Sequence, residues 1–455
     1  MDSFISTVEP QVVHLDGFDK IVSIMYIPRI YWFENEHHET KSWDTFMPPE
    51  TLRSSFYRTL QDFPIIAGRF KAGKDGRGTV IVDRDNINMP IYTDSDWDVD
   101  FKQIKDAGFD TGLLPETFDN ARGFTAASRF GTKSAKLGIF HVRRFKNYSG
   151  VIIFASITHG LVDGQGFVVF MNRWAEISKL MHKSPTEKVP ARVFSHDRSI
   201  HNDYRQEGTS SLDDTLLKLT SGSSTVITRY AAGGILYSTN DVLTSLLAMT
   251  VGQAIQENNA RRHARRLVKT MCSPFNRGNG KPEDTLLTIP TNLRPRISHP
   301  DGNKYVGNLM FARYIICPQT LTQADSDPEN VLAVATIVRE AMSSTDKTYI
   351  GQSNHLINRE PDMYMRLATG YLKYKSSLAV TNVSMFDQYG LDFGAGIPRL
   401  IRSASQAFMN YIEVMPCHPD IGGYEVVMML RPGIAQIIAQ NKGWMRLVDS
   451  YHLGV

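Results

Sequence analysis

Residues 149–170 read SGVIIFASITHGLVDGQGFVVF, and the character of the chain changes in the middle of that stretch. Residues 149–158 are rich in β-branched and aromatic side chains and read as a buried strand. Residues 165–183 carry apolar side chains on one side and read as a helix. His159 and Asp163 fall between them, four residues apart. A histidine at a strand end is held by the sheet and yet can face a cavity. Its ordinary pKa of about 6.5 leaves it mostly neutral near pH 7. A neutral imidazole can take a proton from a hydroxyl or amine attacking a carbonyl, help worth roughly 10²–10⁴-fold. Gly160, Gly164 and Gly166 let the backbone turn tightly around the pair. An HxxxD spacing is short and common, so a structural role stays open beside the catalytic one. Two ligands without a third make a poor metal site, and no metal is expected.

Working outward, residues 136–145 and 149–158 flank a short turn at 146–148 and read as a hairpin. Upstream, 21–28 and 79–84 are strand-like, and 49–63 carries helical spacing with Pro49 near its start. Downstream, a polar and weakly periodic stretch runs from about 184 to 225 and reads as a crossover linker. A helix is expected at 239–258, capped by Ser238, Thr239 or Asn240. Residues 286–292, 377–386, 407–415 and 424–430 read as strands, and 328–342 and 433–443 as helices. Both halves mix strands and helices, which predicts an α/β protein. The expected organisation is an N-terminal domain over 1–190, a linker over 191–225 and a C-terminal domain over 226–455.

The chain has 455 residues, with 50 Lys plus Arg against 47 Asp plus Glu, a formal net charge of +3. That balance lacks the basic excess needed to coat a nucleic-acid backbone. A hydrophobic content of 42% suffices for a sizeable core and argues against global disorder. Cys272, Cys317 and Cys417 are too few and too scattered for a disulfide framework. The first residues show no basic start followed by an apolar run, and no stretch approaches 18 apolar residues. A cytoplasmic protein without a membrane span is the expectation.

HGLVDG (159–164) resembles the HxxxDG motif of the BAHD acyltransferases, the CoA-dependent O- and N-acyltransferases of plants and fungi. DFGAG (392–396) resembles the second motif of that family, DFGWG, at its usual place late in the chain. LDGFD (15–19), FPIIAGRF (63–70), HDRSI (196–200), NLRPR (292–296), YVGN (305–308) and GGYEV (422–426) are similar to further family segments, in order. The resemblance implies two chloramphenicol-acetyltransferase-like domains joined by a crossover loop. Between them it implies a channel that admits acyl-CoA from one face and the acceptor from the other. Acyl-CoA would be a co-substrate rather than a bound cofactor, and a monomer is the family default.

The same resemblance implies roles for single residues. His159 matches the catalytic base. Asp163 matches an aspartate that supports the site through an ion pair, with Arg294 as its expected partner. Thr381 matches a threonine whose hydroxyl stabilises the oxyanion, although an ordinary strand role is equally open. Asp392, Gly394 and Gly396 match a structural loop distant from the chemistry. Ala395 stands where relatives usually have Trp and should leave space beside that loop. Val383 replaces another Trp. Met385 stands where some relatives carry an arginine that grips an acidic acceptor, which argues for a less acidic one here. Ser238 matches a serine near the pantetheine channel.

Other clusters are less decisive. Arg261, Arg262, Arg265, Arg266 and Lys269 gather beyond the expected helix end. They could attract CoA phosphates or form a solvated basic helix end. His196, Asp197, His201 and Asp203 lie in the polar linker and read as solvated or structural. Two competing functions remain. One is a carrier-protein-dependent condensation domain, a related fold using HHxxxDG, although Thr158 stands where its first histidine would be. The other is a non-catalytic scaffold that binds CoA or a metabolite.

Overall fold

A computed structural model describes residues 2–15, 17–22, 25–72, 78–114, 136–184, 188–204, 237–269, 284–297, 304–324, 326–359, 371–404 and 410–451. The strands are β1 (Gln11–Leu15), β2 (Tyr26–Glu34), β3 (Arg69–Ala72), β4 (Gly78–Val82), β5 (Ile91–Trp97), β6 (Gly138–Phe145), β7 (Gly150–Thr158), β8 (Thr285–Asn292), β9 (Met310–Cys317), β10 (Ser376–Asn382), β11 (Leu400–Ser403), β12 (Asn410–Pro416) and β13 (Tyr424–Met429). Among the described residues they form two five-stranded sheets, β11-β2-β7-β6-β5 and β13-β12-β10-β8-β9, and a small sheet β1-β4-β3.

The expected hairpin is the centre of the first sheet. β6 and β7 run antiparallel across a 3₁₀ turn, Lys146–Tyr148, and every residue of both strands is buried. Burial on both faces explains why 150–158 reads as a continuous apolar run rather than an alternating one. Helices Pro49–Asp62 and Gly164–Lys183 pack together over this sheet. Trp174 anchors that contact: its indole N–H donates to the Leu52 carbonyl at 3.2 Å, and its ring meets Phe56, Phe140 and Phe393 edge-on. Truncating a buried ring of this size costs about 3–5 kcal/mol.

In the second sheet, β10 lies between β8 and β12 and runs parallel to both. Helix Thr239–Lys269 packs on β10 and on helix Pro328–Ser343. The first sheet is completed from the other half of the chain, because β11 pairs antiparallel with β2 and places Ser403 opposite Arg29.

Several boundaries differ from the sequence expectation. Residues 18–22 are helical and β2 begins only at Tyr26, because Phe18 is drawn into the core of the second half against Phe311. β10 stops at Asn382 rather than running to 386. The Asn382 side-chain oxygen accepts the Ser384 backbone N–H at 2.9 Å and turns the chain out of the sheet. The helix expected to end at 258 continues to Lys269, and 433–443 splits into Ile434–Ile438 and Lys442–Met445 with Asn441 capping the second. In the described part of the linker, Arg198, Ile200 and His201 are buried rather than solvated.

Candidate active site

The HGLVDG segment is a tight connection from β7 to helix Gly164–Lys183. His159 follows the last residue of β7, and its backbone N–H donates to the Met25 carbonyl at 2.8 Å, which holds it to the entry of β2. Four residues on, Asp163 is the N-cap of the helix, and its carboxylate accepts the Gly166 backbone N–H at 2.9 Å. A Cβ on Gly166 would lie 2.0 Å from the Val306 carbonyl oxygen, so close approach of two backbones makes glycine obligatory there.

Asp163 and Arg294 form the expected ion pair. Arg294 Nη1 donates to Oδ2 at 2.6 Å and Nη2 to Oδ1 at 3.2 Å, a two-pronged contact with both side chains buried. The Leu309 backbone N–H adds a third donor to Asp163, at 3.0 Å. Arg294 spends its remaining donors on the carbonyls of Tyr305 and Gly307 and on the Asn292 side-chain oxygen. Burial alone would raise the Asp163 pKa. The Arg294 charge and the hydrogen bonds outweigh it and hold the carboxyl below its usual range. Asp163 therefore stays ionised and ties the His159 turn to the second half of the chain.

His159 itself is partly exposed. Its ring is oriented by Asn308, the last residue of YVGN. The Asn308 side-chain N–H₂ donates to the His159 carbonyl at 2.6 Å and to Asp19 Oδ1 at 2.9 Å. Those two acceptors fix which end of the amide is oxygen, and that oxygen lies 3.0 Å from His159 Nδ1. An oxygen can only accept, so Nδ1 carries the proton and the lone pair sits on Nε2. Burial pushes the His159 pKa down, and backbone hydrogen bonding at His159, the Asp163 charge, the Asn308 bond and the Val162 backbone reverse only part of that shift. The result is a neutral imidazole with Nε2 as its basic nitrogen.

The support extends further. Asp19 pairs with Arg198, which also donates to the Leu161 carbonyl at 2.7 Å inside the His159 turn. His201 Nε2 lies 2.9 Å from the Asn308 carbonyl oxygen, and the ring is fully buried. Five segments scattered along the sequence, LDGFD, HGLVDG, HDRSI, NLRPR and YVGN, thus meet in one hydrogen-bonded network. Asn308, Asp19 and Arg198 were singled out in the sequence only as parts of motifs. A polar residue inside an otherwise apolar segment, such as Asn308 in YVGNLMF, was the available signal.

Thr381 is buried on β10, level with Glu413 of β12. Past the end of β10, Phe386 packs over Gly164, where a Cβ would lie 3.1 Å from its ring. The Asn382 side-chain amide donates to Asn240 at 2.8 Å, at the start of helix Thr239–Lys269. Ser238 bonds Asp241 through its backbone N–H at 2.7 Å and its hydroxyl at 2.9 Å, which makes it part of that helix start. The Asp163–Arg294 pair thus joins the His159 turn to the NLRPR segment, and the Asn382–Asn240 bond joins the end of β10, next to Thr381, to the helix start beside Ser238.

Other expected residues lie elsewhere or outside the described set. Asp392 accepts the backbone N–H groups of Gly394 and Gly396 at 2.8 and 3.0 Å and pairs with Lys179 at 2.6 Å. Both glycines have positive φ, so the loop turns as expected, and the space beside Gly396 is open. Ala395 packs, partly buried, against the first core. Val383 is buried and Met385 is 90% exposed. Arg261 pairs with Glu257 and Arg262 is exposed. The side chains of Arg265, Arg266, Lys269 and Asp203 are outside the described residues, as is Cys272. His196 stands edge-on to Phe63, and burial with the Arg198 charge pushes its pKa down to about 3. Among the described residues no helix is long and apolar enough to cross a membrane.

A family model described as the Transferase family matches residues 6–203 and 267–443. Hydroxycinnamoyltransferase 1 of Oryza sativa subsp. japonica is 21% identical over 91% of each chain. BAHD acyltransferase DCR of Arabidopsis thaliana is 21% identical over 79% of this chain and 72% of its own. Among solved structures, TRI101 of F. graminearum complexed with ethyl coenzyme A superposes with a TM-score of 0.65, 14% identity, and coverage of 96% of this chain and 99% of that one. The first condensation domain of the calcium-dependent antibiotic synthetase also shares the fold, at a TM-score of 0.53 and 15% identity over 94% of this chain and 91% of that one. The two-domain, chloramphenicol-acetyltransferase-like α/β fold is the expected one.

Proposed function

The chain belongs to the Transferase family, the BAHD acyltransferases, and we propose that it moves the acyl group of an acyl-CoA onto a hydroxyl or amine of a small metabolite, with His159 as general base. The observation that carries the reading is the tautomer set by Asn308, which leaves the basic lone pair on Nε2 of a partly exposed ring. Nε2 takes the acceptor proton as the acceptor oxygen or nitrogen attacks the thioester carbonyl. The tetrahedral oxyanion gathers on the carbonyl oxygen, where the Thr381 hydroxyl donates to it. Collapse breaks the carbon–sulfur bond, and the departing thiolate takes the proton back from His159. The products are free CoA and the ester or amide, and no acyl-enzyme forms. Asp163 and Arg294 hold the turn that presents His159, Ser238 lies along the thioester arm, and Arg265, Arg266 and Lys269 attract its phosphates.

Purified protein incubated with a panel of CoA thioesters and a panel of alcohols and amines tests this by the release of free thiol. His159→Ala is expected to lose at least 10²-fold in kcat. Full turnover by that variant would overturn the mechanism. Transfer from carrier-bound thioesters alone, with none from CoA, would overturn the donor.

A further inference from the structure

Asp19 stands at the nitrogen end of the Asn308 amide, opposite the oxygen that meets the His159 ring. Its Oδ1 accepts the Asn308 side-chain N–H at 2.9 Å, and both residues are fully buried. Arg198 holds the same carboxylate, its Nε donating to Oδ2 at 3.1 Å. The Arg198 guanidinium is anchored in turn, because Nη2 donates to the Leu161 carbonyl at 2.7 Å and Nη1 to the His196 carbonyl at 3.0 Å. Contacts therefore run unbroken from Arg198 through Asp19 and Asn308 to His159 Nδ1, none longer than 3.1 Å. The Asp19 segment is pinned from outside as well. Phe18 packs against His201 and Phe311, and the Gly17 backbone N–H donates to Asn358 at 2.9 Å. A Cβ on Gly17 would lie 2.2 Å from Asn354 Oδ1, so the chain has no room to shift there.

This placement bears on the tautomer. A reversed Asn308 amide would turn its N–H₂ to Nδ1 and its oxygen to Asp19. Nδ1 would then accept, Nε2 would carry the proton, and the ring would have no lone pair to offer an acceptor. The His159 carbonyl by itself opposes that reversal with one neutral hydrogen bond. The buried Asp19 carboxylate opposes it with a charge-assisted bond, roughly twice as strong, and with oxygen set against oxygen. In the observed orientation the amide dipole also keeps its negative end at Nδ1. There it favours the imidazolium that forms once Nε2 has taken a proton.

Resting on the acyl-transfer reading above, we propose that Asp19 is a positioning residue for His159. Acting through Asn308, and itself held by Arg198, it fixes Nδ1 as the protonated nitrogen and keeps Nε2 basic. It touches no reacting atom. Its role differs from that of Asp163, whose oxygens are taken by Arg294, Gly166 and Leu309. Asp19 and Arg198 stand 179 residues apart, one near the N-terminus and one in the linker, so both segments bear on the rate as well as on the fold.

The test reads the tautomer directly. Full-length protein labelled with nitrogen-15 histidine is compared by two-bond proton–nitrogen spectra at neutral pH, with His159→Gln identifying the His159 signals. Wild type should carry the proton on Nδ1. Asp19→Asn removes the charge but leaves Arg198 buried without its counter-ion. Where that variant fails to fold, Asp19→Leu combined with Arg198→Met decides, since apolar groups often replace a buried ion pair without loss of stability. Either variant should gain a population protonated at Nε2. Its kcat should fall about 10–100-fold, with KM for the thioester within about twofold of wild type. The spectra need no turnover, so failure of this assignment and failure of the acyl-transfer reading are told apart. A folded variant whose ring stays protonated at Nδ1 as in wild type, or whose loss is confined to KM, overturns the proposal.

Discussion

Asn308 grips His159 from two sides, donating to its backbone carbonyl at 2.6 Å and lying 3.0 Å from its ring Nδ1 through the side-chain oxygen. One amide thus sets both the position and the tautomer of the ring. Asn308→Ala removes the acceptor for Nδ1–H and frees the ring to rotate. We expect kcat to fall about 10–100-fold, by analogy with the loss of hydrogen-bond partners behind metal-binding histidines, with KM for the thioester nearly unchanged. Steady-state kinetics checks it, and a variant with wild-type kcat would show that the ring is held by other means.

The Asp163–Arg294 pair should matter for folding before it matters for rate. Asp163→Ala leaves the Arg294 charge buried and removes an N-cap, and breaking a buried pair from one side costs about 3–5 kcal/mol. Urea denaturation followed by circular dichroism measures this directly. A stable and fully active Asp163→Ala protein would contradict the role given to the pair.

Two glycines make opposite predictions. Gly166→Ala would force a methyl to 2.0 Å from the Val306 carbonyl, so the helix start must move and take the His159 turn with it. We expect a loss of about 3 kcal/mol or more and little activity. Gly396→Ala meets no atom within 4 Å and pays only for its positive φ, about 1 kcal/mol. Comparing the two melting temperatures, with residual turnover, separates crowding at the site from strain in a remote loop.

Acid should weaken the fold earlier than carboxylate chemistry alone predicts. Burial lowers the pKa of His159, takes His141 to about 4 and His196 to about 3. Unfolded histidines titrate at about 6.5, so below that pH the unfolded chain binds more protons than the folded one. Stability is then fully present above pH 6.5 and is lost as pH falls through the window down to about 3. From about pH 4 downward Asp163, held under its usual range, adds its own loss. Denaturation midpoints at pH 7.5 and 5 check the sign. The acid limb of kcat/KM should likewise lie below pH 6.5, because the free base persists there.

How much of this was legible in the chain follows from where the signal was local. The β6–β7 hairpin and helix Gly164–Lys183 are readable because burial imposes an apolar pattern on consecutive residues. Helix Lys347–Arg359 went unread although Tyr349, Ile350, Leu356 and Ile357 recur along its buried face. Its buried face includes Ser353 and Asn354, and Asn354 donates to the His201 carbonyl at 3.1 Å while standing against Gly17. Polar residues in the middle turn break that stripe into two short pieces. The early end of β10 was equally hidden, since a single side-chain-to-backbone bond at Asn382 decided it.

The order of residues by itself determined the α/β class, the histidine at the end of a strand, and the expectation that Asp163 would pair with Arg294. These depend on short-range pattern and on motif similarity, both written along the chain. Only the tertiary structure decided which nitrogen of His159 is basic, because that depends on Asn308, Asp19 and Arg198 converging from three distant segments. Only it placed β11 beside β2 and Arg29 against Glu413. Hydrogen-bond direction and charge pairing act over a few ångströms in space, and no spacing along a sequence encodes which distant groups will come within that range.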